Sequence, residues 1–326
     1  MTVLITGGAG YIGAHVVRLV RDTGRDVVVV DDFSTGRPSR IPGVPVVRMD
    51  LSEPGSIGSL SDTMGSSHVT SVIHFAAKKR VDESMERPAW YFQQNIGALS
   101  NVLLAMERGR VDRLVFSSSA AVYGTPATSA EVTEDAPVVP VNPYGETKLS
   151  GEWLVRDAAR AWGLRAVSLR YFNVAGAGWP ELGDPLVTNL VTMLLQGISL
   201  GQQPRVFGGD YPTRDGSCVR DFVHALDLAR AHVASLDYLP RSERGWDVFN
   251  VGTGIGSTVL EVVNELARVT GRDLIPEICA RRPGDPASVV ASVDRITDVM
   301  GWRAQAALPE ILASAWTAWQ FDHPGT

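Results

Sequence analysis

The stretch TGGAGYIG, residues 6–13, lies between two segments with different hydrophobic patterns. Met1–Ile5 precedes it and is a short apolar run rich in β-branched residues, which predicts a β-strand. Ala14–Val20 follows it with apolar residues at the spacing of an amphipathic helix. A strand, a glycine turn and a helix in this order are typical of a dinucleotide-binding fingerprint.

The three glycines of this fingerprint have different tasks. Gly7 allows a turn that a side chain would obstruct, Gly10 lets the backbone approach a pyrophosphate, and Gly13 lets the helix pack close to the strand. The free amides at the helix N-terminus then face the phosphates, with the helix dipole in the favourable direction.

A second apolar run supports the same interpretation. Val27–Val30 is continuously apolar, as a parallel strand covered on both faces should be, and it ends in Asp31 and Asp32. An acidic residue here accepts hydrogen bonds from the ribose hydroxyls and repels a 2′-phosphate. Because no Arg or Lys occurs among the four residues after Asp32, the pattern favours NAD over NADP.

The composition narrows the class of protein. The chain has 326 residues, of which 44% are hydrophobic, and its net charge of −6 does not indicate a nucleic-acid or anionic-membrane partner. Two cysteines, Cys218 and Cys279, indicate no disulfide framework, and the six histidines show no metal-ligand spacing. A first strand at residue 2 leaves no room for a signal peptide, and no apolar stretch is long enough to span a bilayer. We therefore expect a soluble cytoplasmic protein without a metal.

Strands and helices alternate through the first half of the chain. This order predicts an α/β fold with a doubly wound parallel sheet, whose strand C-terminal ends form one ligand-binding rim. Further strands are predicted at residues 44–49, 71–75, 113–116 and 164–169, and helices at residues 89–108 and 144–162.

The character of the sequence changes near Val174, where shorter elements and more glycine and proline begin. We predict a dinucleotide-binding domain over residues 1–173 and a smaller substrate-binding domain over residues 174–326. A return segment near residues 219–251, with a strand-like run at Val248–Val251, is expected to rejoin the main sheet.

Tyr144 and Lys148 are the catalytic candidates. Their spacing of four puts both side chains on one face of a helix. A nearby ammonium, aided by a positive nicotinamide ring, is expected to lower the pKa of the tyrosine, so that its phenolate can take a hydroxyl proton as hydride leaves the same carbon. Ser119, at the end of the predicted strand 113–116, is expected to hydrogen-bond the same substrate oxygen.

With these residues in view, nearly the whole chain resembles the extended short-chain dehydrogenase/reductases and, within them, the UDP-glucose 4-epimerase (UDP-galactose 4-epimerase) family. Motifs of the second half resemble the epimerases more than other members. The resemblance rests on residues 7–13, Asp31, Asp50-Leu51, residues 74–79 (HFAAKK), residues 117–124 (SSSAAVYG), Tyr144 with Lys148, and residues 170–173, 208–216, 219–224 and 281–285.

The resemblance implies a Rossmann domain that binds NAD. Asp31 would hold the adenosine ribose, Asp50 the adenine, and Tyr171 the nicotinamide ring. The full set of implied cofactor-binding residues is Gly7, Gly10, Tyr11, Ile12, Gly13, Asp31, Asp32, Asp50, Leu51, Phe75, Ala76, Ala77, Lys79, Asn95, Ser117, Tyr144, Lys148 and Tyr171.

The resemblance also implies a UDP-sugar substrate and a homodimer formed through the helices predicted at residues 89–108 and 144–162. Arg220, Arg282 and Asp285 would hold the diphosphate and the uridine ribose, since a guanidinium gives paired charge-assisted hydrogen bonds. The implied substrate-binding residues are Lys79, Ser119, Tyr144, Asn173, Asn189, Leu190, Val206, Phe207, Arg220, Arg282 and Asp285.

The implied reaction is reversible epimerisation at C4 of a UDP-hexose. Tyr144 takes the C4 hydroxyl proton while hydride passes to NAD, the 4-keto sugar turns, and hydride returns to its other face. The chain departs from the family at Ala121, where many members carry Thr and so have one more hydroxyl near the sugar. Val289 lies at a position where family members carry either a bulky aromatic residue or a smaller one that admits an N-acetyl group. The valine therefore leaves open whether N-acetylated sugars are substrates.

Other activities on this scaffold stay open. A sugar-nucleotide 4,6-dehydratase would need an Asp-Glu pair where this chain has Ala120 and Ala121. A UDP-glucuronate enzyme would need a cation for the substrate carboxylate, and none is identified. A non-catalytic NAD-sensing protein is a third alternative, although such proteins can lose the Tyr/Lys pair that this chain retains.

Overall fold

The computed structural model describes residues 1–126, 131–282 and 284–325. Its main sheet has seven strands in the order β10-β6-β5-β4-β1-β2-β3, and the strand pairs from β6 to β3 are parallel. These strands are β1 (Thr2–Thr6), β2 (Asp26–Asp31), β3 (Val46–Arg48), β4 (Val69–His74), β5 (Arg113–Ser117), β6 (Arg165–Tyr171) and β10 (Trp246–Val251). The predicted parallel α/β sheet is therefore confirmed.

Helices alternate with these strands along the chain. Both faces of the central strands are buried: Leu4 and Val72 pack in one core cluster with residues of α2 and α5, while the alternate residues Val3 and Ile73 are equally inaccessible on the other face. The helices are α1 (Tyr11–Asp22), α2 (Ser56–Ser66), α3 (Val81–Glu86), α4 (Pro88–Phe92), α5 (Ala98–Gly109), α6 (Pro143–Trp162) and α8 (Ala225–Tyr238).

The helix predicted at residues 89–108 differs from the observed one. Between α4 and α5 the chain forms one π-helical turn, Gln93–Gly97. A π turn adds a residue to the helix, which a search for a period of 3.6 does not reveal. This turn directs the buried Asn95 side chain towards the loop after β4.

Two further strands test the sequence interpretation. Of the return segment expected at residues 219–251, Trp246–Val251 forms β10 at the edge of the main sheet beside β6, whereas Val219–His224 forms a strand of another sheet. The strand predicted at residues 44–49 is shorter than expected. Pro45 has no N–H to donate, so β3 begins after it, although the Pro45 carbonyl still accepts from Val29.

The chain divides into two compact units. The first comprises Met1–Gly124, Val138–Arg170 and Ala229–Phe249, and the second comprises Thr125–Pro137, Tyr171–Leu228 and Asn250–Thr326. None of the helices in the described part of the chain has the length and apolar character required to cross a bilayer.

The second unit contains short strands and amphipathic helices. In its largest sheet β9 pairs with β7, β11 and β13, and β8 pairs separately with β12. Its core includes Leu195, Phe222, Leu266, Ile311 and Trp316. Its elements are β7 (Asn173–Ala175), α7 (Leu190–Ser199), β8 (Arg205–Phe207), β9 (Val219–His224), β11 (Gly256–Thr258), α9 (Val259–Thr270), β12 (Glu277–Cys279), β13 (Ser288–Val289), α10 (Asp294–Met300) and α11 (Leu308–Asp322).

Candidate active site

The glycine turn joins β1 to α1 and leaves no space for side chains. Gly7 has φ +68°, and a Cβ on it would lie 2.9 Å from the backbone nitrogen of Ala76. A Cβ on Gly13 would overlap the Gly7 carbonyl oxygen and lie 2.8 Å from the Gly8 Cα. The turn is thus a cradle of bare backbone at a helix N-terminus, as a bound diphosphate requires.

Asp31 and Asp32 end β2 beside this turn. The buried Asp31 carboxylate accepts hydrogen bonds from the backbone N–H groups of Ala9 (2.9 Å) and Phe33 (2.8 Å). Burial raises the pKa of Asp31, although these two hydrogen bonds oppose the rise. Burial also acts to raise the pKa of Asp32, but hydrogen bonds from Ser34 and the charge of Lys78 outweigh it, so that pKa is lowered.

Lys78 is a site residue to which the sequence analysis assigned no role. The strand order β4-β1-β2 places the loops after β4 and β2 on either side of the glycine turn. From the first loop, Lys78 Nζ donates to Ser34 Oγ (3.0 Å) in the second and lies 3.4 Å from Asp32 Oδ2. This pairing spans 46 residues, so the residues that follow Asp32 in the sequence give no sign of it.

Asn95 holds the Lys78 backbone from the π turn. Its Oδ1 accepts from the Lys78 N–H (2.8 Å), and its Nδ2 donates to the Lys78 carbonyl (3.0 Å) and to Thr147 Oγ1 (3.0 Å). Both N–H donors of the Asn95 side chain are therefore committed to the protein. Next in the loop, the exposed Lys79 has its Nζ 6.0 Å from the centre of the Tyr11 ring.

Ser119, Tyr144 and Lys148 come together where β5 ends and α6 begins. The Ser119 and Tyr144 side chains form a hydrogen bond. The buried Lys148 Nζ donates to the Ser117 carbonyl oxygen (2.9 Å) and lies 5.9 Å from the centre of the Tyr144 ring. Asn142 caps α6 and so defines where the helix begins, because its Oδ1 accepts from Gly145 N–H.

The pKa of Tyr144 differs from the sequence expectation. In the chain by itself, burial raises the pKa of Tyr144, and the hydrogen bond with Ser119 only partly opposes this. Burial lowers the pKa of Lys148 to about 8, and its ammonium bonds the Ser117 carbonyl. The expected lowering of the tyrosine pKa is therefore not a property of the chain alone, because desolvation of the phenolate dominates.

His74 is a packed polar residue. It is buried at the end of β4 with its Nδ1 2.8 Å from Thr6 Oγ1, and its ring stacks on Phe116. Burial and the positive charge of Lys148 lower its pKa to about 3. The imidazole is thus neutral at physiological pH.

The second unit brings several of the substrate-binding candidates together. Arg220 pairs with the Asp285 carboxylate and donates to the carbonyl oxygens of Val219 (2.7 Å) and Pro286 (2.9 Å). The Arg282 guanidinium stacks on Phe207, 3.9 Å from the ring centre.

The other candidates have local structural tasks. Asn189 caps α7, whose first residue is Leu190, by accepting from Thr192 N–H. Asp50 accepts from the backbone and hydroxyl of Ser52. Leu51 and Val206 are buried, Asn173 is exposed, and Phe75 packs on His232. The remaining candidates lie at the ends of elements or in a loop: Tyr11 and Ile12 begin α1, Ser117 ends β5, Tyr171 ends β6, and Ala77 lies in the loop after β4. Pro283, part of one quoted motif, lies outside the described residues.

Residues 3–252 match the model of the NAD dependent epimerase/dehydratase family. A UDP-glucose 4-epimerase of Azospirillum brasilense is 45% identical over 306 residues, which cover 92% of this chain and 86% of that protein. The family match therefore extends beyond the glycine turn into the second unit.

Two solved structures are also similar. UDP-glucose-4-epimerase from Stenotrophomonas maltophila, with bound NAD and formylated UDP-arabinopyranose, has a TM-score of 0.94 and 36% identity, and covers 100% of both chains. The UDP-Glc/GlcNAc 4-epimerase from Campylobacter jejuni has a TM-score of 0.86 and 35% identity over 98% of this chain and 99% of that one.

Proposed function

Because the chain belongs to the NAD-dependent epimerase/dehydratase family, we propose that it interconverts UDP-glucose and UDP-galactose by reversible epimerisation at C4. The observation that carries this proposal is the Ser119–Tyr144 hydrogen bond beside Lys148. A phenol, a hydroxyl and an ammonium at one strand end are the groups needed to move a proton at a carbinol oxygen.

The glycine turn and Asp31 fit NAD. The glycines of this turn have no side chains, and Gly7 and Gly13 have no space for a Cβ, so a pyrophosphate can approach the backbone closely. The Asp31 carboxylate at the end of β2 can accept hydrogen bonds from ribose hydroxyls. The chemistry that NAD supplies when bound is the reversible removal of hydride from C4 of the sugar. We assign the remaining cofactor-binding candidates to the same role, and Asn95 to holding the loop that carries Lys78 and Lys79.

Tyr144 is the proposed base and acid. Its phenolate takes the proton of the C4 hydroxyl and returns it after the sugar has turned. Ser119 bonds the phenol and is placed to share the same substrate oxygen. Since burial raises the pKa of Tyr144 in the chain alone, ionisation depends on positive charge near the ring, which Lys148 supplies from the same helix face.

The substrate is proposed to be held by its nucleotide. Arg220 and Arg282 supply guanidinium groups for the diphosphate, and Asp285, already paired with Arg220, is assigned to the uridine ribose. The ketone must rotate about its link to the nucleotide, so contacts to the sugar have to be few. Lys79, Asn173, Asn189, Leu190, Val206 and Phe207 complete the proposed substrate site.

A substrate panel tests the proposed activity. Purified protein incubated with UDP-galactose should produce UDP-glucose and reach the same ratio of the two sugars when started from either one. A 4,6-dehydratase would instead release water and give a 4-keto-6-deoxy product, and an NAD-binding protein without activity would give neither. Either of these results would overturn the proposal.

N-acetylated substrates are a second candidate. Val289 lies half-buried on β13, and it is smaller than the aromatic residue of some family members. A similar structure is named a UDP-Glc/GlcNAc 4-epimerase. UDP-GlcNAc therefore belongs in the same panel, where conversion at a rate comparable to UDP-glucose would establish dual specificity.

Lys78→Ala is expected to weaken NAD retention while leaving activity with excess NAD. The change removes an ion pair and a hydrogen bond that join the loops on both sides of the glycine turn. Partly exposed contacts of this kind have modest energies, so we expect NAD to dissociate about threefold to tenfold faster. Stopped-flow release of NAD into a trapping enzyme measures this rate.

Arg80→Ala is the matched control for Lys78. Its guanidinium pairs with the exposed Asp82 in the first turn of α3 and not with Ser34. NAD release from Arg80→Ala should equal that of the parental protein. Equal release from Lys78→Ala and Arg80→Ala would show that the bridge does not retain the cofactor.

We propose that the protein is a homodimer through α5 and α6. Leu104 on α5 is 42% exposed and Trp153 on α6 is 50% exposed, although both are large and apolar. Trp153→Glu is expected to give a monomer by light scattering, because it places a charge in this apolar surface. Phe321→Glu, on the exposed Phe321 of α11, is the control. A parental monomer, or an unchanged mass for Trp153→Glu, would contradict the proposal.

A cytoplasmic location is also proposed. Cys218 and Cys279 are both free, and Cys279 is partly exposed. Unpaired thiols of this kind persist in a reducing compartment.

A further inference from the structure

One face of α6 carries three polar residues at intervals of four: Tyr144, Lys148 and Glu152. Opposite them, three consecutive serines, Ser117–Ser119, begin at the last residue of β5, and each serine contacts one of the three polar residues. The Ser117 carbonyl accepts a hydrogen bond from Lys148, and the Ser119 side chain bonds Tyr144. The middle one, Ser118, donates its hydroxyl to Glu152 Oε1 at 2.5 Å.

Glu152 is also paired with Arg170 from the adjacent strand β6. Arg170 Nε donates to Glu152 Oε1 (2.8 Å) and Nη2 donates to Oε2 (2.6 Å), while Nη1 donates to the Tyr123 hydroxyl (3.0 Å). The side chains of Glu152 and Arg170 are 1% and 5% exposed. Burial acts to lower the pKa of Arg170, but the hydrogen bonds and charge of Glu152 raise it above its usual value, so the guanidinium stays charged.

The helix lies unusually close to the strand end along this face. A Cβ on Gly151 would lie 2.6 Å from the Phe116 ring, and one on Gly145 would lie 2.7 Å from the Ala121 carbonyl oxygen. Glycines at these two positions leave no side chain that could interlock with the strand end and stop α6 from sliding along its axis. Directional contacts, such as hydrogen bonds and ion pairs, must therefore resist such a shift. The Glu152 contacts lie one turn beyond Lys148 and two turns beyond Tyr144.

We propose that Glu152 is a positioning residue, which uses its bonds to Ser118 and Arg170 to hold Tyr144 and Lys148 in register with the end of β5. The inference rests on the proposed epimerase activity and extends it to a residue that touches no reacting atom. Catalysis by an oriented base is sensitive to displacements of about 1 Å. Loss of this contact should therefore lower kcat more than it changes the binding of substrate or NAD.

A purely structural role makes a different prediction. A buried ion pair that only contributes to folding would, when weakened, lower the melting temperature and leave the kcat of the folded molecules unchanged. Ser118→Ala separates the two roles, because it removes one bond to Glu152 and leaves the pairing with Arg170. Ser168→Ala is its matched control, since Ser168 is also 0% exposed, lies on the neighbouring strand and accepts a hydrogen bond from Trp246.

The experiment measures kcat, KM for UDP-galactose, NAD content and melting temperature for both variants. We expect Ser118→Ala to lower kcat about tenfold with KM and NAD content unchanged, and to melt no lower than Ser168→Ala. A kcat within twofold of the parental value would overturn the proposal. So would a loss of kcat that is matched by loss of NAD.

Glu152→Gln extends the test. It removes the carboxylate charge, leaves Arg170 buried without its counter-charge, and should lower kcat about 100-fold in molecules that retain NAD. If this variant does not fold, the Ser118→Ala result still decides the question. Failure of the proposed activity is recognised separately, because then the parental protein itself does not convert UDP-galactose.

Discussion

Tyr144→Phe is expected to reduce turnover by about a factor of 10² to 10⁴, the usual contribution of a positioned acid–base group. The change removes one hydroxyl, to which Ser119 is bonded. It leaves the ring and the position of Lys148 over it. Conversion of UDP-galactose measures turnover, while the absorbance of the purified variant measures bound NAD, which should equal the parental content.

Tyr238→Phe is the matched control for this result. The Tyr238 hydroxyl also bonds a protein group, the Asp247 carboxylate, but it lies at the end of α8 and not at the end of β5. Near-parental activity is expected. If Tyr144→Phe retained activity within a few-fold of Tyr238→Phe, the phenol would not be the base.

Gly13→Ala is expected to lose bound NAD almost completely, with an affinity more than about 100-fold weaker. The added Cβ overlaps the Gly7 carbonyl oxygen, and because both neighbours are backbone atoms no side chain can rotate away. The first turn of α1 must therefore shift, and its free amides, which would face the pyrophosphate, shift with it. Isothermal titration of the NAD-free protein with NAD measures the loss.

Gly58→Ala, in α2, controls for the general effect of adding a methyl group to a helical glycine. A Cβ on Gly58 meets nothing within 4 Å, so this variant should bind NAD normally and be slightly more stable, since alanine favours helix over glycine. Parental NAD affinity in Gly13→Ala would mean that the cofactor does not depend on this turn.

Patterns formed by residues close together in the sequence predicted the fold well. The strand, glycine turn and helix around Gly7, and the continuous run Val27–Val30 with its terminal Asp31, follow from periodicity and turn chemistry alone. The π turn at Gln93–Gly97 did not follow, because a single added residue barely alters an apolar pattern.

The parts of the site that the sequence did not predict depend on contacts between distant segments. Lys78 meets Ser34 across 44 residues, and Glu152 meets Ser118 across 34 residues. In the chain alone burial raises the pKa of Tyr144, and burial is a property of the folded molecule that the spacing of Tyr144 and Lys148 does not reveal. For Glu152 there was a signal, since it continues the four-residue spacing of Tyr144 and Lys148 by one more turn.

The chain has three lysines, Lys78, Lys79 and Lys148, and all three belong to the site described above. Because Lys148 is 5% exposed, an amine-directed ester reaches little besides the N-terminus and the two loop lysines. Apart from attachment at the N-terminus, coupling this protein to an activated resin would attach it through the loop that carries Lys78 and Lys79. For the same reason, the extent of acylation at the loop lysines would report directly on whether that loop is shielded by a ligand.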